Sequence, residues 1–350
     1  MHAATLYGFA HALEGLVTLL CIPQRAGSSA KNAAWRTSFG YPEGVKSVPP
    51  LRLALCDMNN GVANQATRCF RRICTSFQST VRAANPGIET TLDHLQPRNL
   101  GEVPDTRYDL VLSSGGPGAP SDGFDDTWGQ GYRAFLDQVR SANEHRPDDS
   151  TKALLVCHSF ELAVLHFEVA AMRRRATTKF GVMPAYITKV GQEKPWLSHF
   201  GYRLFTWEHR DWEAVDVHED KLAAMGGHVL AHEAHADSVV NKGDAILGIH
   251  FAPGIDGVQF HPEADRHGVM TWIERPESRT RLVDAYGHDL YGKMVKSLSD
   301  PQRLARTFAL LIPSWLALRF NELARRRGYN PVPLPEFVMH AFDDDLSVAV

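Results

Sequence analysis

The sequence predicts an α/β protein: a doubly wound, mostly parallel sheet with a C-terminal helical extension. Three observations carry that expectation. From Leu51 to about Arg173, short apolar runs alternate with helical periods, the order that lays strands side by side with helices on both faces. Two of those runs stop abruptly at residues suited to chemistry, one at Gly115-Gly116-Pro117-Gly118 and one at Cys157. Beyond Asp265 the strand signals give way to long helical periods dense in Arg and Lys.

Residues 1–48 read as a loosely attached extension. Positions 6–23 are mostly apolar but are interrupted by His11 and Glu14, with no basic stretch before them. That is too short and too broken for a membrane span or a clear signal peptide, and one short helix near 6–20 is expected. A Ser-, Gly- and Pro-rich linker ends at Pro49-Pro50. The expected strands then lie at 51–56, 88–92, 108–113 and 153–156, with helices at 64–79, 128–139 and 160–173. Shorter strands follow at 180–187, 245–251 and 257–260, then helices at 277–298 and 301–327, the last with a kink at Pro313. The domain boundaries expected are 1–48, 49–270 and 271–350.

Composition narrows the classes. With 350 residues, 44% hydrophobic, the chain can bury a large core and needs no disulfide or metal staple. A net charge of −3 argues against nucleic-acid or membrane-surface binding. The five cysteines are Cys21, Cys56, Cys69, Cys74 and Cys157; the number is odd and no CxxC pair occurs. A secreted disulfide framework or zinc ribbon therefore fits poorly, and a reducing cytoplasmic setting fits best.

Three segments carry candidate chemistry. In Ala153-Leu-Leu-Val-Cys157-His158-Ser159, a strand runs straight into a cysteine and then a helix. A cysteine at such an elbow is exposed on the turn, and the helix end stabilises its thiolate. The plain alternative is an inert core cysteine. In Gly257-Val-Gln-Phe-His261-Pro262-Glu263, alternation puts His261 and Glu263 on one side of a strand, so the carboxylate can orient the ring. The alternative is a surface turn. The glycines at 115–118 let the backbone approach a ligand and aim amides at it.

In chain order, glycine loop, cysteine elbow and then His-Pro-Glu strand, the three segments resemble the class I glutamine amidotransferase family over roughly residues 51–265, and His235-Ala-Asp237-Ser-Val239 resembles the family's H-x-D-x-V segment. The resemblance implies a flavodoxin-like or Rossmann-like doubly wound fold. It also implies Cys157 as nucleophile, His261 as base and Glu263 as its support. Gly116 and His158 would supply oxyanion-hole amides, with Gly115 beside the substrate. No cofactor and no metal are implied. A small-molecule substrate such as glutamine is implied, and, because the sequence holds no Walker loop or ATP pyrophosphatase loop, either an ammonia-accepting synthetase as partner or an unlinked hydrolase role. No nucleic acid or membrane is expected, and a homo-oligomer is left open.

The elbow departs from the family's Gly-x-Cys-x-Gly-x-Gln: Leu155, Ser159 and Glu161 stand at the two Gly positions and the Gln position. Glu161 reads either as a neighbour of the substrate or as a solvated first-turn acid favoured by the helix dipole. A weaker resemblance is to homoserine O-succinyltransferases, which share such a triad; there Arg210 could pair with a substrate carboxylate. A triad-bearing module with little turnover is the third reading. Trp196, Trp207 and Trp212 read as core or lid packing, or as the substrate mouth. His228, His232 and His235 lack a recognised metal-ligand spacing. The Arg173–Arg175 and Arg325–Arg327 runs read as solvated faces.

Overall fold

The computed structural model describes residues 49–233 and 240–337, apart from the side chains of 285, 286 and 290. The N-terminal extension 1–48, the H-x-D-x-V segment at 235–239 and the tail 338–350 lie outside the described residues.

The first part of the chain alternates as its pattern predicts: β1 (Leu51–Cys56), α1 (Gln65–Ala84), β2 (Thr90–Leu95), α2 (Pro97–Leu100) and β3 (Leu110–Ser113). Then come α3 (Thr127–His145), β4 (Lys152–Val156) and α4 (His158–Phe167). Next are β5 (Ala171–Ile187), α5 (Lys189–Gln192), α6 (Pro195–Ser198), β6 (Arg203–Val215), α7 (Glu219–Ala224) and β7 (His228–His232). The chain continues through β8 (Ile246–Ala252), β9 (Ile255–Val258), α8 (Arg266–Ile273) and α9 (Pro276–Leu298) to α10 (Arg306–Arg327).

The nine strands form one sheet in the order β2-β1-β3-β4-β9-β8-β6-β5-β7. From β2 to β9 every neighbouring pair is parallel. The expectation of a mostly parallel, doubly wound sheet fails beyond that point. The pairings β8–β9, β6–β8, β5–β6, β5–β7 and β7–β8 are all antiparallel. Because β7 also pairs with β8, the strands β8, β6, β5 and β7 close a ring, like a small barrel. The long β5–β6 ribbon causes this: two strands joined through short helices fold back on each other instead of crossing over.

Burial follows the strand period in the parallel half. Leu53, Leu55, Leu154 and Val156 face the layer that includes Phe70, Phe77, Trp315 and Phe320 of α1 and α10. Ala54, Cys56, Ala153 and Leu155 face the layer of Tyr132, Phe135, Phe160 and Leu162 on α3 and α4. Neighbouring residues thus enter opposite layers, and strands covered on both sides read as unbroken apolar runs.

Several boundaries moved. The helix expected to reach residue 173 stops at Phe167, where Glu168 turns left-handed at φ 50°, and the chain re-emerges as β5. Helix α10 continues through Pro313 without a break. The backbone instead breaks at Arg303 (φ −105°, ψ −111°), inside a π turn at Pro301–Ala305. The α10 helix is fixed to the sheet by a fully buried carboxylate on β9, Asp256. It accepts from Arg319 Nη2 at 2.6 Å and Trp315 Nε1 at 2.8 Å, and lies 2.7 Å from His250 Nδ1. No helix of the described residues is long and apolar enough to cross a membrane.

Candidate active site

Strands β3, β4 and β9 are parallel neighbours, so their carboxyl ends open onto one place, the usual position of ligands in open α/β sheets. The glycine loop, Cys157 and the His261 segment leave from those three ends.

Cys157 occupies the turn between β4 and α4 with φ 52° and ψ −106°. A non-glycine residue held at positive φ costs about 1–3 kcal/mol and persists only where its surroundings enforce it. Here its N–H donates to Val258 O at 2.8 Å and its carbonyl accepts from Glu161 N at 2.9 Å. The His261 ring lies beside the sulfur, close enough for each to shift the other's charge; both flank Gly115. His261 Nδ1 lies 2.8 Å from Glu263 Oε1, and Glu263 is 1% exposed. The ring is held from behind as well, since His261 N donates to Trp207 O of β6 at 2.9 Å. A cysteine and a hydrogen-bonded histidine–glutamate pair that are distant from it in sequence thus stand side by side.

Their charges are coupled. Burial pushes the Cys157 thiol up, and the neighbouring His261 pulls it back. Burial works against a charged His261 ring, but Glu263 and then the Cys157 sulfur outweigh it, so the ring holds its proton well above the ordinary histidine range. The other described cysteines stand apart from this chemistry. Cys56, Cys69 and Cys74 are free and buried, and burial pushes the Cys69 and Cys74 thiols up to about 12.

The glycine loop presses against both reactive side chains. A Cβ added at Gly115 would come within 2.8 Å of His261 Cε1 and 3.0 Å of Cys157 Cβ, and one at Gly116 within 2.1 Å of Met58 O. Only glycine fits either position. Arg98 secures the loop by donating to Pro117 O at 2.6 Å and Met58 O at 3.1 Å. His158, the first residue of α4, is fully buried beside the elbow.

The departures at the elbow find physical explanations. Leu155 packs in the apolar layer under α3 and α4, away from the turn. Ser159 replaces a glycine but uses its hydroxyl: Oγ donates to Ser114 O at 2.7 Å and lies 2.8 Å from Ser113 Oγ. It thereby ties α4 to the start of the glycine loop. Glu161 is 4% exposed, which corrects its reading as a solvated acid. Its Oε1 accepts from Gln259 Nε2 at 2.9 Å, and the same nitrogen is 3.9 Å from Cys157 Sγ. Sequence reasoning missed Gln259, although strand alternation places it on the same side as His261, two residues on.

Arg210 is not brought to the sulfur. It sits 4% exposed among the antiparallel strands, donating to Glu208 at 2.6 Å, to Trp212 O at 3.1 Å and to Glu233. Arg173 and Arg175 join the same network through Glu213 and Glu233, while Arg173 and Arg174 remain exposed, so the run is a solvated face with ion pairs at its edge. Arg327 is likewise paired with Asp109 and Asp149. Trp196 is core, and Trp207 stacks edge-on against Phe180. His228 and His232 lie on β7. Among the described residues no group of three or more His, Cys, Asp or Glu side chains could hold a metal ion.

No family model matches the chain, and no curated protein matches it significantly. Solved structures similar to it include a glutamine amidotransferase from Thermotoga maritima, 14% identical with TM-score 0.46, covering 79% of this chain and 97% of that one. Another is a glutamine amidotransferase from Methylobacillus flagellatus, 16% identical with TM-score 0.45, covering 84% and 100%. The glutaminase domain of CTPS from Trypanosoma brucei is 13% identical with TM-score 0.42, covering 61% and 86%.

Proposed function

We propose that this chain is an enzyme of the class I glutamine amidotransferase type, cleaving the carboxamide of glutamine or a related small amide through a thioester. The observation that carries the reading is the Cys157 elbow at φ 52° beside the His261 ring, whose Nδ1 is held 2.8 Å from buried Glu263.

The residues divide the reaction between them. The proton held on the His261 ring is the one the thiol has given up, so Sγ bonds to the carboxamide carbon as a thiolate while the carbonyl electrons move onto oxygen. The amides of Gly116 and His158 stabilise that oxyanion. As the carbon–nitrogen bond breaks, His261 passes its proton to the departing nitrogen and ammonia leaves. Water then adds to the thioester, losing a proton to His261, and the sulfur recovers its proton as the carboxylic acid departs. Glu263 orients the ring and offsets its positive charge throughout.

Ammonia released in this way is useful only to an acceptor, and the sequence carries no nucleotide-activating loop. A synthetase partner is therefore part of the proposal, in a reducing cytoplasmic setting that suits four free buried cysteines. Acyl transfer to an amino acid is the weaker reading, since the cation it relied on, Arg210, is occupied by carboxylates. We also propose residues 49–270 as the chemical domain and 271–350 as its helical extension and tail. The test is release of glutamate and ammonia from glutamine, with Cys157→Ala as control. Release by the wild type alone supports the proposal; equal release by both proteins overturns it.

A further inference from the structure

Strand β5 and helix α9 enclose a cavity of about 190 Å³. Its apolar lining is Phe180, Val182 and Met183 from the strand and Leu282, Tyr291 and Met294 from the helix. Neither Cys157 nor His261 lines it. An apolar cavity of about 150 Å³ is enough to hold benzene, so one ring with a small substituent fits here. The lining suits a ring better than a flexible chain. Phe180 and Tyr291 offer aromatic surfaces, and the thioethers of Met183 and Met294 make favourable contacts with ring edges.

The rim supplies charge of one sign. Lys293 lines the cavity, is exposed, and pairs with no carboxylate among the described residues. Arg303, the other cation there, is engaged by Asp300 at 3.1 Å and by Ser297 Oγ at 2.9 Å. No Asp or Glu lines the cavity among the described residues. An apolar body thus adjoins one uncommitted cation, with no negative charge to oppose an anion.

We propose that this cavity is a binding site for a small aromatic carboxylate, its ring among Phe180, Tyr291 and the two methionines and its carboxylate at Lys293. The ring is held by buried area and dispersion, and the exposed cation adds a modest preference for the anion. Phe180 links the site to the catalytic base. Its ring lies edge-on to Trp207 with centroids 4.7 Å apart, and Trp207 O accepts from His261 N at 2.9 Å. The occupant touches the wall behind the base and is an effector, not the group that the sulfur attacks. The proposal does not rest on the amide reaction, and a failure to cleave glutamine leaves it untouched.

The test is titration calorimetry of the full chain with benzoate and with benzyl alcohol, its uncharged counterpart. The wild type binds benzoate more tightly than benzyl alcohol. In Lys293→Gln the benzoate Kd rises about threefold to fivefold, and that of benzyl alcohol stays. Met294→Trp fills the cavity and abolishes binding of both. Alkylation of Cys157 with iodoacetamide leaves benzoate binding intact. Benzoate that fails to bind the wild type at millimolar concentration, or that binds Lys293→Gln or folded Met294→Trp as well as the wild type, overturns the proposal. So does loss of binding on alkylation, which would place the ring in the catalytic cleft. Where Met294→Trp does not fold, the exposed change Lys293→Gln carries the test.

Discussion

The two halves of the sheet are built from different materials. The parallel half, β2 to β9, is held by apolar side chains on both faces and delivers its functional groups from strand ends. The antiparallel ring is threaded by ions: Arg210 pairs with Glu208 and Glu233, while Arg173 and Arg175 pair with Glu213. The two meet where β6 holds His261 through Trp207 O. The difference teaches that backbone geometry made by apolar packing places the sulfur and the glycine loop. The charged half serves as a wall behind the base. Disturbing the first half should cost chemistry, and disturbing the second should cost stability.

The largest expected effect follows from Gly116→Ala. The added methyl meets Met58 O and must move the loop, withdrawing an oxyanion donor. The expected loss in kcat is about 10²–10³-fold, read from ammonia release by protein that unfolds at nearly the wild-type urea concentration. An active Gly116→Ala would break the assignment of that amide.

Arg210→Ala should do the reverse. It strands the fully buried Glu208 without its cation, at a cost of about 3–5 kcal/mol. Urea unfolding should register that loss, while turnover per folded molecule stays close to wild type. A large fall in turnover without destabilisation would return Arg210 to the substrate.

Acid sharpens the comparison within the parallel half. Burial alone would raise the pKa of Asp256, but Arg319 and His250 hold its carboxyl well below the usual carboxylate range. The folded value is depressed, so the stability it contributes is present above the ordinary value of about 4. It is lost progressively as pH falls below that value, where the unfolded chain binds the proton first. Asp256→Asn should be less stable near neutrality and show a shallower decline in acid, measured by urea unfolding across pH. The smallest effect is that of Ser159→Ala, about 1 kcal/mol for the lost hydroxyl contacts, seen in the same assay.

This division also explains what could be read beforehand. Runs such as Leu51–Cys56 and Lys152–Val156 are legible because strands covered on both faces are largely apolar, with a single cation in each. The β6 strand escaped notice because Glu208 and Arg210, which are charged, occupy buried positions and invert the hydrophobic alternation that marks a strand. The ring closure depends on pairing between β7 and β8, which no local pattern encodes. In the site, Cys157, His261, Glu263 and the glycines were visible as motifs. The burial of Glu161 was not, because its partner Gln259 lies 98 residues away in the chain.

The most direct test of the central claim is the mass of Cys157-containing peptides after rapid acid quenching of the protein with glutamine. The account predicts a glutamyl thioester on Cys157 in the wild type, absent from Cys157→Ala together with ammonia release. Ammonia release that persists in Cys157→Ala, with no acyl group on the wild-type sulfur, would contradict it.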